Sequence, residues 1–179
     1  MTDNTPTDRN HRAVSPDGTQ IAGRVESSTG DIKRLVEVER TIDAPIEDVF
    51  ARVTNAEDWT GWVSSSFLKE STQTSPGPPT VGTTVHDTMK YGLSNTWEIV
   101  EFESPHKVVY FTIADKVGIH LWSGYLFEAV DEHRTQVLHF VDARTHGVRK
   151  VLVPLLKFQE TSEHTKTIDS LEASFHGTQ

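Results

Sequence analysis

A chain of 179 residues, 35% hydrophobic and 24% charged, is sized and composed for one globular core. Its formal charge of −9 at pH 7 argues against nucleic acid or an anionic membrane held by charge, since phosphate neutralisation needs clustered Lys and Arg. It has no cysteine, which excludes disulfides, thiol nucleophiles and thiolate metal sites together.

Residues 1–31 are dominated by Thr, Asp, Asn, Ser, Gly and Arg, too polar to bury a core of their own, and read as a flexible tail ahead of a domain over 32–176. Within them Ser15-Pro16-Asp17-Gly18 is a turn signal, and Ile21 to Val25 has the composition of a short edge strand that allows docking on the domain. No basic segment followed by an apolar run opens the chain, and no apolar stretch approaches the ~20 residues of a spanning helix. The expectation is a cytoplasmic protein without integral membrane association.

From Val36 the pattern alternates. Val36, Val38 and Ile42 fall on one phase and Glu37, Glu39 and Thr41 on the other, as a half-buried strand requires, with Arg40 as a polar break in the apolar phase. Pro45 suits a first helical position, and Glu47 behind it complements the helix dipole. Ile46, Val49, Phe50 and Val53 then recur at i, i+3, i+4 and i+7, one buried stripe. Asn55 and Asp58 can cap a second short helix carrying Trp59 and Trp62.

Further strands are predicted over 65–70, 81–91, 94–103, 107–116, 119–130 and 135–145, an antiparallel meander. The breaks are a loop over 71–80 containing Pro76, Gly77, Pro78 and Pro79, then Gly92, Ser104-Pro105, Val117-Gly118 and the polar run 131–134. The segment from Val148 to about Phe175 reads as a long helix, begun near Val153 or kinked there, because Pro154 is tolerated in a first turn. Leu155, Leu156 and Phe158 are apolar at one end and Ile168, Leu171 and Phe175 at the other. Between them Gln159, Ser162 and Glu163 interrupt the stripe. Either this polar middle faces an interior polar region, or the helix leaves the sheet there and is solvated.

From about Lys33 to Phe175 the chain resembles the polyketide cyclase/dehydrase branch of the START-like (SRPBCC) superfamily. The resemblance rests on "VEVERTIDAPIEDVF", the Trp62 that ends "NAEDWTGW", "VGTTV" at 81–85, "WEIVEFESPHKVVY" at 97–110, and the long C-terminal helix. It implies an α+β helix-grip fold, shared with the major birch pollen allergen and plant hormone receptors. In that fold a bent antiparallel sheet, here of about six to seven strands, wraps around the C-terminal helix, with two short helices after the first strand and a cavity between sheet and helix.

Three polar residues sit in otherwise apolar strand phases: Arg40, Asp87 between Val85 and Met89, and His139 between Val137 and Val141. Buried charge is costly unless paired or bonded to a ligand, so all three are candidate cavity residues. Trp97, Tyr110, Tyr125 and Phe127 lie on strands and supply aromatic wall, with the two tyrosine hydroxyls needing partners that a ligand can offer. Leu155 and Gln159 are the candidates from the long helix.

The nine histidines show no H-E-x-x-H and no His-x-His pair, so no metal and no cofactor is expected. There is no G-x-S-x-G elbow and no phosphate-binding glycine loop. Two functions follow from the resemblance. The preferred one is binding of a hydrophobic small molecule (lipid, isoprenoid or polyketide-like), alone or with a protein partner, because the polar candidates form no recognisable dyad. The alternative is a polyketide cyclase, aromatase or dehydrase acting on a poly-β-ketone substrate, with His139 as general acid/base and Arg40 or Tyr125 orienting a carbonyl.

Overall fold

The computed structural model describes residues 32–63, 68–90, 92–114, 119–145 and 153–176; the side chains of 113, 114, 145 and 153–161 lie outside that description, and so does the 1–31 segment with its turn and edge-strand signals. The chain runs β1 (Ile32–Ile42), α1 (Ile46–Thr54), a 3₁₀ turn (Ala56–Asp58), α2 (Trp59–Trp62), β2 (Leu68–Gln73), β3 (Thr84–Met89), β4 (Ser94–Glu103), β5 (Lys107–Ala114), β6 (Ile119–Asp131), β7 (Arg134–Thr145) and α3 (Val153–His176).

The strands form one antiparallel sheet in the order β1-β7-β6-β5-β4-β3-β2. The meander from β2 to β7 needs only hairpin-like connections, whereas β1 lies at the edge opposite β2. The α1 and α2 segment must therefore cross the sheet, and it does so over one face. Phe50 of α1 meets Phe102 and Phe127 edge-on, with ring centroids at 5.3 and 5.4 Å. The helix-grip α+β architecture expected from the sequence is the architecture present.

Alternation in β1 decides which residues look inward. Val36, Val38 and Ile42 pair with Val141, His139 and Thr135 of β7 on the inner face, while Glu37 and Glu39 stay exposed. The core against this face includes Ile42, Val49, Val53, Ile99, Val108 and Val137, closed by Ile168 and Leu171 of α3. The Thr135 hydroxyl donates to the Ala44 carbonyl at 2.8 Å, tying the corner before α1 to the sheet.

The opposite face carries a smaller cluster of Val100, Val109, Trp122 and Phe140. The Arg34 guanidinium lies 4.3 Å from the Phe140 ring centre while bonding Asp142. Phe140 in turn sits over Gly124, where an added Cβ would lie 2.2 Å from its ring.

β2 and β3 depart from the sequence reading by more than a residue. β2 runs over 68–73 rather than 65–70, because Ser71, Thr72 and Gln73 pair with Asp87, His86 and Val85. A polar edge strand has no burial pattern to betray it, and only the partner strand reveals it. β3 begins at Thr84 rather than 81, since Gly82 adopts φ +85° in the turn before it, a conformation open to glycine. Pro45 sits one residue before α1, and its carbonyl accepts the first amides of the helix from Asp48 and Val49, both at 3.1 Å.

Candidate functional site

A cavity of about 440 Å³ lies between the inner sheet face, α2 and α3. Trp59 and Trp62 of α2, Trp97 of β4, Tyr110 of β5 and Tyr125 of β6 supply aromatic wall, and Val53, Leu68 and Met89 aliphatic wall. The polar lining comes from Asp87 on β3, Ser123 on β6, and Glu163, His164, Lys166 and Thr167 on α3. Of the residues that interrupt the apolar stripe of the long helix, Glu163 lines the cavity, Ser162 is exposed, and the Gln159 side chain lies outside the described residues. A mostly apolar space with a few convergent polar groups is the usual form of a small-molecule site.

The anchor on the β3 side is Asp87, 7% exposed. Its Oδ2 accepts the Trp97 indole N–H at 2.9 Å. Its Oδ1 has no hydrogen-bond partner among the described residues. Ser71 is its cross-strand neighbour, close enough to favour the charged form, yet the Ser71 hydroxyl lacks the geometry of a bond to Oδ1 and is itself unpartnered. Proximity without alignment does not satisfy a buried acceptor. Burial pushes the Asp87 carboxyl upward, opposed by the nearby Ser71 hydroxyl and the Trp97 N–H. The buried Trp62 indole N–H, also in the lining, lacks a partner among the described residues too. The residues that carry this acceptor and this donor both line the same space, while the two atoms themselves are buried behind its wall.

Across the cavity a pair of imidazoles joins sheet to helix. His139 is fully buried, its ring stacked on Tyr125 with centroids 4.3 Å apart. Its Nδ1 lies 3.0 Å from the Gly124 carbonyl and its Nε2 lies 2.8 Å from Nδ1 of His164. A carbonyl only accepts, so His139 carries its hydrogen on Nδ1 and accepts at Nε2 from the His164 Nδ1–H. Burial, then the neighbouring His164, hold the His139 pKa well below the ordinary histidine value, and His139 stays neutral.

The tyrosines have different duties. Val53 lies in the last turn of α1, where a carbonyl has no intrahelical partner, and it accepts both the Trp59 indole N–H at 2.8 Å and the Tyr110 hydroxyl at 3.2 Å. The Tyr110 hydroxyl is thus bound to the protein, and the ring forms the wall, edge-on to Trp59 at 5.2 Å. Tyr125 is buried beside Ser123, and burial pushes both phenols up so that they remain neutral.

Of the residues singled out in the sequence, Asp87, Trp97, Tyr110 and Tyr125 line the cavity. His139 faces the same side but stands behind His164 and is not itself part of the lining. Arg40 points toward α3, where Asp169 Oδ1 lies 2.9 Å from its terminal nitrogen, a partly exposed ion pair away from the lining. Phe127 packs in the core between Phe50 and Tyr125. Leu155 and Gln159 fall among the side chains outside the described residues.

Sequence reasoning missed Trp62 as a lining residue and, above all, His164. The signal for His164 was present: with Ile168, Leu171 and Phe175 it occupies i, i+4, i+7 and i+11, so it is a polar break in a buried stripe, like Asp87 on its strand. Among the described residues no group of three or more His, Asp or Glu side chains could hold a metal.

No curated protein matches the chain in sequence. Solved structures of similar fold include a protein of Mesorhizobium loti at 15% identity and TM-score 0.60, covering 80% of this chain and 98% of its own. Norcoclaurine synthase from Thalictrum flavum, in complex with dopamine and hydroxybenzaldehyde, is 11% identical with TM-score 0.64, covering 90% of this chain and 99% of its own. A Helicobacter pylori protein is 15% identical with TM-score 0.66 over 87% of this chain and 97% of its own. The family model described as polyketide cyclase / dehydrase and lipid transport matches residues 33–174, nearly the whole of the sheet, the crossing helices and the cavity they enclose, and the chain belongs to that family.

Proposed function

We propose that this domain binds a hydrophobic, largely aromatic small molecule in the cavity between the sheet and α3. The observation that carries the proposal is a cavity of about 440 Å³ walled by Trp59, Trp62, Trp97, Tyr110 and Tyr125, with polar groups from Asp87, Ser123 and α3 at its edge. The fold accommodates such molecules, since the norcoclaurine synthase of similar fold holds dopamine and hydroxybenzaldehyde.

Three of the four tryptophans line the cavity, so intrinsic fluorescence reports its occupancy. Titration with a naphthalene-type probe should quench that fluorescence saturably, and native mass spectrometry of freshly purified protein should find a co-purifying ligand. Ser123→Trp, which fills the cavity from β6, should weaken the probe more than tenfold. Unchanged affinity in that variant would overturn the proposal.

A second reading, cyclisation or dehydration of a poly-β-ketone chain, is favoured by the paired imidazoles, because cavity shape orders a flexible substrate and an imidazole moves protons. In that reading His164 meets the substrate and His139 stands behind it. Turnover of polyketide analogues that survives His164→Leu would sink it.

A further inference from the structure

We infer that the ligand of this cavity is an amphiphile with an anionic end, its apolar body against the aromatic wall and its carboxylate beside Lys166, where the cavity meets solvent. The inference rests on the cavity being the ligand site and names the class of molecule that site takes.

Burial divides the lining into two ends. Val53, Trp62, Tyr110 and Tyr125 are at most 7% exposed and wall the inner end. Leu93, in the hairpin between β3 and β4, lines the same space yet is 52% exposed, and the side chains of Glu163 and Lys166 on α3 are 30% and 58% exposed. The cavity therefore reaches solvent where that hairpin and the middle of α3 border it. An anionic group taken to the inner end gives up its hydration among indole and phenol rings. It also approaches Asp87, a buried carboxyl whose bonded partner among the described residues is the neutral Trp97 indole. At the solvent end it keeps its water. The two ends thus orient a molecule that is apolar at one end and charged at the other.

The charges at the solvent end set the sign. Lys166 is the one Lys or Arg among the described lining residues. Its Nζ donates to Glu163 Oε1 at 2.9 Å, which engages one of the three ammonium hydrogens and offsets the Glu163 charge. A second lysine, Lys90, is exposed and directly follows Met89 of the lining at the end of β3. Lys69 and Glu70, both exposed, follow Leu68 of the lining and offset one another. Two lysines, Lys90 and Lys166, therefore stand against one acid, Glu163, in a chain whose formal charge is −9. The flexible four-carbon stem of a lysine lets its ammonium meet a carboxylate over a range of positions. A contact of this kind is weak and salt-sensitive, so it selects and orients the ligand while the apolar wall carries most of the affinity.

Three probes with one aromatic body test this on the full chain: 2-naphthylacetic acid, its methyl ester, and 2-(2-naphthyl)ethylamine. At low ionic strength we expect the acid to bind about fivefold more tightly than the ester, and the amine more weakly than either. Salt at about 1 M, where charges are screened within about 3 Å, should bring acid and ester together. Lys166→Gln should remove the preference for the acid, Lys166→Glu should reverse it, and Lys166→Arg should retain it. Glu163→Gln, which leaves the Lys166 charge without its acidic partner, should enlarge it. Because the readout is a ratio between probes, a variant that merely loosens the cavity weakens all three together and leaves the ratio unmoved. Equal affinity for acid and ester at low ionic strength, a preference for the amine, or an acid preference that survives Lys166→Gln overturns the inference and leaves the cavity reading standing. Absence of saturable binding by all three probes overturns both.

Discussion

Asp87 and His139 are buried ionisable groups whose pKa values are displaced in opposite directions, and both displacements have consequences for stability. Asp87 is raised by burial, so the folded state holds its proton more tightly than the unfolded chain does; this contribution to stability falls as pH rises through the folded value. Asp87→Asn should therefore raise stability at neutral pH, by about 1 kcal/mol, while its amide oxygen still accepts from Trp97. The gain should vanish in acid, where the carboxyl is protonated in both states. Thermal melts of the two proteins at several pH values check this, and a gain that persists in acid would contradict it. His139 is lowered by burial and by His164, so the unfolded chain binds the extra proton and stability falls as pH drops below the ordinary histidine value of 6.5. The expected slope approaches about 1.4 kcal/mol per pH unit for one proton, and urea midpoints of His139→Gln should lack that component. Both residues were visible in the sequence as polar breaks in apolar strands. Their pairings were not, because Trp97 is 10 residues from Asp87 along the chain and His164 is 25 from His139.

Individual elements are held together by contacts between side chains and backbone as much as by apolar burial. The end of α1 is tied to the sheet through the Val53 carbonyl, which accepts from Trp59 and Tyr110. Tyr110→Phe should cost about 1 kcal/mol in chemical denaturation and leave probe affinity intact, since its ring rather than its hydroxyl meets the cavity. On the other face, β6 approaches the Phe140 ring so closely at Gly124 that Gly124→Ala must displace that ring from under Arg34. A destabilisation of about 1–3 kcal/mol is expected, partly restored by Phe140→Leu in the double variant. The identity of these elements was legible because β1 alternates and α1 repeats at helical spacing over enough residues to mark a face. The limits of β2 were not legible, because this mostly polar edge strand has no alternating apolar phase and is defined by the hydrogen bonds it shares with β3.

At the scale of the molecule, the cavity interrupts an otherwise closed core, so ligand binding should be coupled to stability. A molecule that binds only the folded state, present at a hundredfold excess over its Kd, should raise unfolding free energy by about 2.7 kcal/mol, seen as a higher Tm that tracks ligand concentration. Ser123→Trp should erase that response. Among the described residues no helix is long and apolar enough to cross a membrane. By itself the sequence determined the element types, the family resemblance and the inward phase of Asp87 and His139, because periodicity and turn residues act over neighbours along the chain. Tertiary structure alone decided which inward polar groups border the cavity. It sent Arg40 to Asp169 at the helix, placed His164 between His139 and the cavity, and left Asp87 Oδ1 unmet. Those outcomes depend on how α3 lies across the sheet, which brings together residues whose separation in sequence carries no signal of their contact.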